Sequence, residues 1–439
     1  MTRPSPNLVV FALWLLVFSS SSQIMILSPI LPRIGEELGI EAAVLGTLVS
    51  AYALMVGVFA VISGPISDRI GRRRILLLGS GVMALVLCLH VFVADYATFL
   101  TLRMLAGVAG GVLTGAAVSY IGDWFPYERR GWATGWVMSG SAFGQIIGIP
   151  LGIVMAGWWG FRAPFYLFAL TMAITFLLIW FRIPQPPVRR HDTPLTVSGA
   201  LRDYWTMLRR PEIALAALAF FLMFLGVSVY VVYFPLWLEN ELGATSTQIA
   251  TLFLIGGIAN VLSGPQAGHL SDRIGRKGII LLACVGLSVV MLLTPVVLDR
   301  LWVAYPVFFA AMVLMAMRIS PFSALLTALV EDHRRGSLMC LTVALGQVGF
   351  AVGGAVAGPL YADVGYGSNA ILGAISVLGM GVIVWLWVPE PQRGAHVTVG
   401  AASAATVEGA PGEGLLERPR TDTPNRDAMP GVVSPPSTR

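Results

Sequence analysis

Charge is what this sequence has least of. Only 12% of its 439 residues are Asp, Glu, Lys or Arg, while 56% are hydrophobic; an ordinary soluble domain carries about 25% charged residues. A soluble chain of this length needs charge to cover its outside, so the scarcity argues against two or three water-soluble domains and points to a membrane protein. Cysteine is nearly absent too. Cys88, Cys284 and Cys340 fall inside apolar stretches without ligand spacing, which leaves neither a disulfide framework nor a zinc site and makes them small buried hydrophobes. His90, His191, His269, His333 and His396 sit at the ends of apolar runs, in loops or near the C-terminus. No H-E-x-x-H sequence or nucleophile elbow accompanies them, so no enzyme activity and no catalytic residue is assigned. The net charge of +5 comes from basic residues scattered beside the apolar runs, a pattern that fits lipid headgroups and not a nucleic-acid-binding stripe.

Long apolar runs are what the chain has in quantity. Twelve can be drawn, each near the roughly 20 residues that cross a hydrocarbon core: 8–31, 43–63, 75–94, 97–121, 132–157, 163–182, 212–236, 248–268, 278–297, 301–328, 338–361 and 368–388. The first has the look of a secretory signal, with Arg3 ahead of Leu8 to Phe18 and small residues Ser19 to Ser22 behind. The apolar run resumes from Ile24 to Leu31, however, and cleavage would leave five spans in one half against six in the other. It is therefore read as a span. Arginine and lysine collect on alternate connections: Arg69 to Arg74, Arg129 and Arg130, Arg182 to Arg210, Arg273 to Lys277, Arg334 and Arg335. The opposite connections hold Arg33, Arg162 and Arg300. By the positive-inside rule both termini are cytoplasmic, in a bacterial-type inner (plasma) membrane.

The hexapeptide SDRIGR occurs at Ser67–Arg72 and again at Ser271–Arg276. Superposing the copies, 204 residues apart, also brings Gly64 over Gly268; a shift one residue longer brings Arg130-Gly131 over Arg335-Gly336. This is a duplicated six-helix unit. The expected fold is an all-α polytopic protein: a bundle over 1–183, a polar linker over 184–211 that lets the bundles move separately, a second bundle over 212–390, and a disordered cytoplasmic tail over 391–439.

Gly64-x-x-x-Asp68-Arg69-x-Gly71-Arg72-Arg73, echoed by Gly268-x-x-x-Asp272-Arg273-x-Gly275-Arg276-Lys277, resembles the signature loop of the major facilitator superfamily. Glycines there permit a tight turn, and Asp68 at the end of a span is placed to accept from N–H groups where the eleventh span begins, near Gly336 and Ser337. Arg72 is expected to pair with Asp123. Such contacts would latch two rocking bundles. In the fifth span Gly135, Gly144, Gly148 and Gly152 resemble the antiporter motif of the family's drug/proton exporters. Proline stands at Pro150, one place late, and Ile153 replaces the last glycine. Arg103-x-x-x-Gly107 resembles a further family motif whose arginine is linked to proton transfer.

The resemblance implies a secondary transporter of small molecules, acting as a monomer with the proton gradient as its energy source and no other cofactor. It puts the first, fourth, seventh and tenth helices around a central cavity. Candidate cargo contacts are then Ser22 and Gln23, with Ser19 on the same face; Tyr230 and Tyr233, with Trp237; Arg103; and Arg318, which lies deep in the tenth span before Pro321. Met312, Met315 and Met317 offer a pliable wall. No Asp or Glu lies in the middle of a span; Asp123, Glu239 and Glu331 stand at margins. Export of amphiphilic compounds against protons is the leading reading. A carrier of a small organic anion or polar metabolite, or a transporter-like sensor, is the alternative.

Overall fold

The computed structural model describes residues 5–186, 197–330 and 335–390. Among these, twelve helices are long and apolar enough to cross a membrane: Pro6–Met25, Ala42–Ser63, Arg72–Phe92, Tyr96–Trp124, Glu128–Trp159, Ala163–Arg182, Pro211–Leu242, Ser246–Ile274, Arg276–Val297, Leu301–Ala328, Ser337–Val364 and Tyr366–Trp387. They are referred to in chain order as the first to twelfth spans. The chain to Glu390 is one compact unit, and large apolar side chains such as Leu85, Phe181 and Val296 cover its outside, as a lipid-facing surface requires. The tail from Pro391, assigned to disorder on composition, lies outside the described residues. Both SDRIGR loops fall on one face of the bundle, called the loop face below; the opposite face is called the far face.

Helix breaks not expected from the apolar runs follow from proline and glycine. Helix Pro6–Met25 gives way at Ile26 to a second helix, Leu27–Leu38, because Pro29 has no N–H to offer the Met25 carbonyl. The fourth span breaks at Thr114, where Gly115 takes a left-handed φ of 74°. The seventh breaks at Tyr233 and resumes as Phe234–Leu242, with Pro235 leaving the Val231 carbonyl without its helical donor. In the fifth, Gly144–Gly148 forms a wider π-turn just ahead of Pro150, which cannot bond to Ile146. Outside the membrane, Asp95 caps the fourth span by accepting from the Thr98 N–H at 2.8 Å. That bond holds its carboxyl below the usual range, so the cap acts above that range and is lost as pH falls through the depressed value.

The linker differs from expectation. It contains a twelve-residue helix, Val197–Leu208, with Met207 buried, lying against the second and eleventh spans, one from each half. Its apolar face gives it a reason to dock, where composition alone suggested a free connection.

Packing within each half is set by glycine. Without a hydrophobic drive between helices in lipid, close approach and the dispersion it brings hold them together. Gly140, Gly144, Gly148 and Gly152 of the fifth span meet Trp14, Phe18, Ser22 and Ile26 of the first; a Cβ would lie 2.6 Å from the Trp14 carbonyl at Gly140 and 2.2 Å from Ser22 Oγ at Gly148. Four-residue spacing on both helices makes this ridge against groove. At Gly135, counted with this motif on sequence, an added Cβ would meet nothing of another helix within 4 Å. The second half repeats the device 205 residues later, where Gly349 and Gly353 of the eleventh span press on the Phe221 and Leu225 carbonyls of the seventh. Gly148→Leu, which forces a side chain into Ser22, is expected to destabilise the fold by about 1–3 kcal/mol or more. A thermal-unfolding midpoint equal to wild type in detergent would contradict this packing.

Candidate functional site

Between the halves lies a chamber of about 250 Å³. Its wall comes from the first, second, fifth, seventh, eighth, tenth and eleventh spans and is mainly apolar, with Phe224, Phe253, Phe308, Met312 and Met315 prominent. Ser28, Gln145, Asn260 and Arg318 supply its polar groups. The fourth span, expected in the wall, does not contribute. Gln145 and Asn260 were passed over on sequence, although an amide inside an apolar run is itself a signal.

Of the expected polar and aromatic cargo contacts Arg318 belongs to this wall, as do Met312 and Met315 but not Met317 of the expected pliable wall. It is 1% exposed, its Nη1 points at Met380 Sδ 3.9 Å away, and the Cys284 thiol is its other hydrogen-bonding neighbour. Its Nε has no partner, and among the described residues no carboxylate pairs with it. An arginine at the centre of a membrane costs about 2.5–3.5 kcal/mol on insertion scales, so a guanidinium left with two sulfurs is a conspicuous expense of stability.

Arg103, equally buried, is differently placed. Its Nη1 donates to Gln23 Oε1 at 3.2 Å, Gln23 Nε2 donates to Tyr52 Oη at 2.9 Å, and the guanidinium carbon stands 4.5 Å from the Tyr52 ring centroid. An amide and a ring face thus hold the cation behind the chamber wall, although its Nε, like that of Arg318, has no partner. Gln23 is consumed in the same network, and Ser22 Oγ bonds to the Phe18 carbonyl at 2.7 Å under the glycines of the fifth span. Neither reaches the chamber.

Tyr230 and Tyr233 are also turned away from it. Tyr230 Oη shares a 2.8 Å hydrogen bond with Thr294 Oγ1 inside the second half. Tyr233 crosses to the other half at the far face. Its hydroxyl donates to the Ala42 carbonyl at 2.6 Å and accepts from the Gly46 N–H at 2.7 Å, two groups that bond to each other in an uninterrupted helix. Ser28 Oγ reaches the opposite way, lying 3.0 Å from both the Val231 and Val232 carbonyls that the break at Tyr233 exposes. Backbones then meet directly: a Cβ at Gly46 would lie 2.2 Å from the Gly354 carbonyl, and one at Gly358 would lie 2.1 Å from that of Ala43. The far face is sealed. Toward the loop face, the fifth and eighth spans pack only as far as Gln145 against Gly257, and beyond that a Cβ added at Gly135 or Gly264 would meet nothing of another helix within 4 Å. These two spans part there, while the second and eleventh stay packed as far as Gly57, whose Cβ position lies 3.0 Å from the Ala344 carbonyl.

The repeated loops brace their own halves. Arg72 Nε bonds Asp123 Oδ2 at 2.9 Å and its Nη1 bonds Ser67 Oγ at 2.8 Å, all within the first bundle. Arg73 Nη2 donates to the Trp180 carbonyl at 2.6 Å and its N–H to Gln185 Oε1 at 3.2 Å. In the second copy Lys277 Nζ donates to the Trp385 carbonyl at 3.0 Å, the Arg276 N–H to Glu390 Oε1 at 2.6 Å, and Arg276 pairs with Asp272 at 3.5 Å. Each loop thus ties the start of its half's third helix to the end of its sixth. Gly71 and Gly275 turn the chain at φ of 99° and 108°, where a side chain would be strained. The Gly268 Cβ position falls 2.9 Å from Ser320 Oγ. Arg273, like Arg72 and Asp272, has further interactions. The side chains of Asp68 and Arg69, the surroundings of Gly64 and Gly336, and Glu331 as a whole lie outside what the structure describes.

A chamber between two six-helix repeats, closed at one face and parted at the other, defines the class of a two-bundle membrane transporter. The sequence profile of the Major Facilitator Superfamily matches residues 13–237 and 216–423; the chain belongs to that family. It is 26% identical over 395 residues to the multidrug resistance protein MdtG of Proteus mirabilis, covering 87% of this chain and 96% of that one. It is 24% identical over 383 residues to the MFS-type transporter YwfA of Bacillus subtilis, covering 87% and 92%. The xylose transporter XylE from E. coli shares the fold, with a TM-score of 0.70 at 15% identity over 88% of this chain and 98% of that one.

Tyr233→Phe removes both hydrogen bonds that its hydroxyl makes across the far-face seal, at about 0.5–1.5 kcal/mol for each. In a cysteine-free background carrying Val49→Cys in the chamber wall, labelling by an impermeant maleimide from the far face is expected to rise about fivefold or more. An unchanged rate would remove Tyr233 from the seal.

Proposed function

We propose that the protein is a secondary active transporter that exports small amphiphilic compounds by alternating access, in exchange for protons. The observation that carries the reading is the apolar chamber between the repeats, sealed at the far face and parted toward the loop face. Rocking the halves about it exposes the chamber to each side in turn, and cargo can move only if its affinity differs between the two states. The multidrug name of the MdtG relative and the glycine face of the fifth span support export and an antiport cycle. By the positive-inside rule the loop face is the cytoplasmic one, so the conformation described faces the compartment from which an exporter loads.

Asp68 is assigned to the loop-face latch, at the end of the second span and opposite the start of the eleventh. Asp68→Asn is expected to insert normally and to slow transport by about tenfold, the scale of one charge-assisted hydrogen bond; full transport by that variant would remove the latch. Proton coupling has its own test. Inside-out vesicles are expected to accumulate amphiphilic dye when respiring and to fall to the passive level when an ionophore dissipates the pH gradient. Accumulation that continues unchanged would overturn the exchange for protons.

A further inference from the structure

We infer that the chamber takes amphiphiles carrying a single anionic head, and that Arg318 receives that head. The inference rests on the transporter reading above and narrows its cargo. A guanidinium has five N–H donors and stays charged at any physiological pH. At 1% exposure, with Nε unpartnered, the Met380 thioether 3.9 Å from Nη1 and the Cys284 thiol as its other neighbour, Arg318 has donors to spare. Sulfur is a weak acceptor, so Met380 and Cys284 position the group without neutralising it.

Arg103 is the internal contrast. It is just as buried and its Nε is likewise unpartnered, but it has an amide oxygen and a ring face where Arg318 has two sulfurs, and it does not line the chamber. Arg318 does line it, and no Asp or Glu is among the residues of that wall. A cationic cargo would meet an uncompensated like charge in a low-dielectric space. An anion would complete the guanidinium with a bidentate, charge-assisted pair. The rest of the wall is apolar, with Phe224, Phe253 and Phe308 placed for a flat hydrophobic body. One cation suits one negative charge, so multiply charged polar metabolites are disfavoured.

The test uses purified full-length protein in neutral detergent and three probes of matched shape: 2-naphthoate, 2-naphthylmethylammonium and 2-naphthylmethanol, titrated calorimetrically. Naphthoate is expected to bind at least about tenfold tighter than either other probe. Arg318→Gln is expected to bring it down to the affinity of the neutral alcohol, with Arg318→Lys in between. Equal or tighter binding of the ammonium by wild type would overturn the inference. So would unchanged naphthoate affinity in folded Arg318→Gln, or sodium chloride alone raising the melting midpoint as far as naphthoate does. The comparison among probes in wild type decides the matter even where a variant does not fold. Flux into proteoliposomes is read separately. Naphthoate bound but never carried would overturn the transport reading and leave the site; ammonium carried in preference to naphthoate would keep transport and overturn the site.

Discussion

Everything in this molecule depends on how closely two helices can approach in a medium that does not push them together. Lipid tails are as apolar as leucine, so spans gain nothing by leaving them except contact with one another. Glycines of the fifth span let the first lie almost backbone to backbone, and Gly349 and Gly353 do the same for the eleventh and seventh. These contacts make each half a stiff body. The interface between the halves uses the same means, at Gly46, Gly354 and Gly358 near the far face and at Gly57 and Gly257 near mid-span, with its tightest approaches at the far end. Stiff halves joined most tightly at one end are the mechanical precondition for rocking.

The charged loops contribute to that stiffness as well as to topology. With Arg73 on the Trp180 carbonyl and Lys277 on the Trp385 carbonyl, each copy closes its own six-helix ring. A duplicated ring needs a duplicated clasp, which is a physical reason for the chain to hold the hexapeptide twice. The pair of Arg72 with Asp123 belongs to this internal bracing, where a bond between the halves had been the natural reading of such a latch.

Much of the fold was legible because it is written in composition. Runs near 20 apolar residues, cations on alternate connections and a motif repeated 204 residues apart fixed the number of spans and the doubling. The chamber was far less legible. A span that is apolar all round has no moment to say which side faces cargo, lipid or a neighbouring helix. Tyr230 and Tyr233 therefore read as a cargo-facing stripe, although Pro235 two residues on was a sign of a broken helix and of carbonyls needing partners. Arg103 and Gln23 were both picked out, but nothing linear joins them to Tyr52, which the third dimension places beneath the guanidinium. Arg318 was found because a charge deep in an apolar run stands out in any orientation.

The far-face closure treats its two sides unequally. When the Tyr233 hydroxyl withdraws, the amide of Gly46 and the oxygen of Ala42 still face each other within one continuous helix, and that bundle needs no outside partner. Withdrawal of Ser28 takes a donor from the oxygens of both Val231 and Val232, and Val231 keeps only the short bond from the Tyr233 N–H, since proline stands where its helical donor would be. Incoming solvent then has to replace the hydroxyl. Gaping on that side is thus a wetting event borne by one bundle alone, and its ease is tied to how readily water enters.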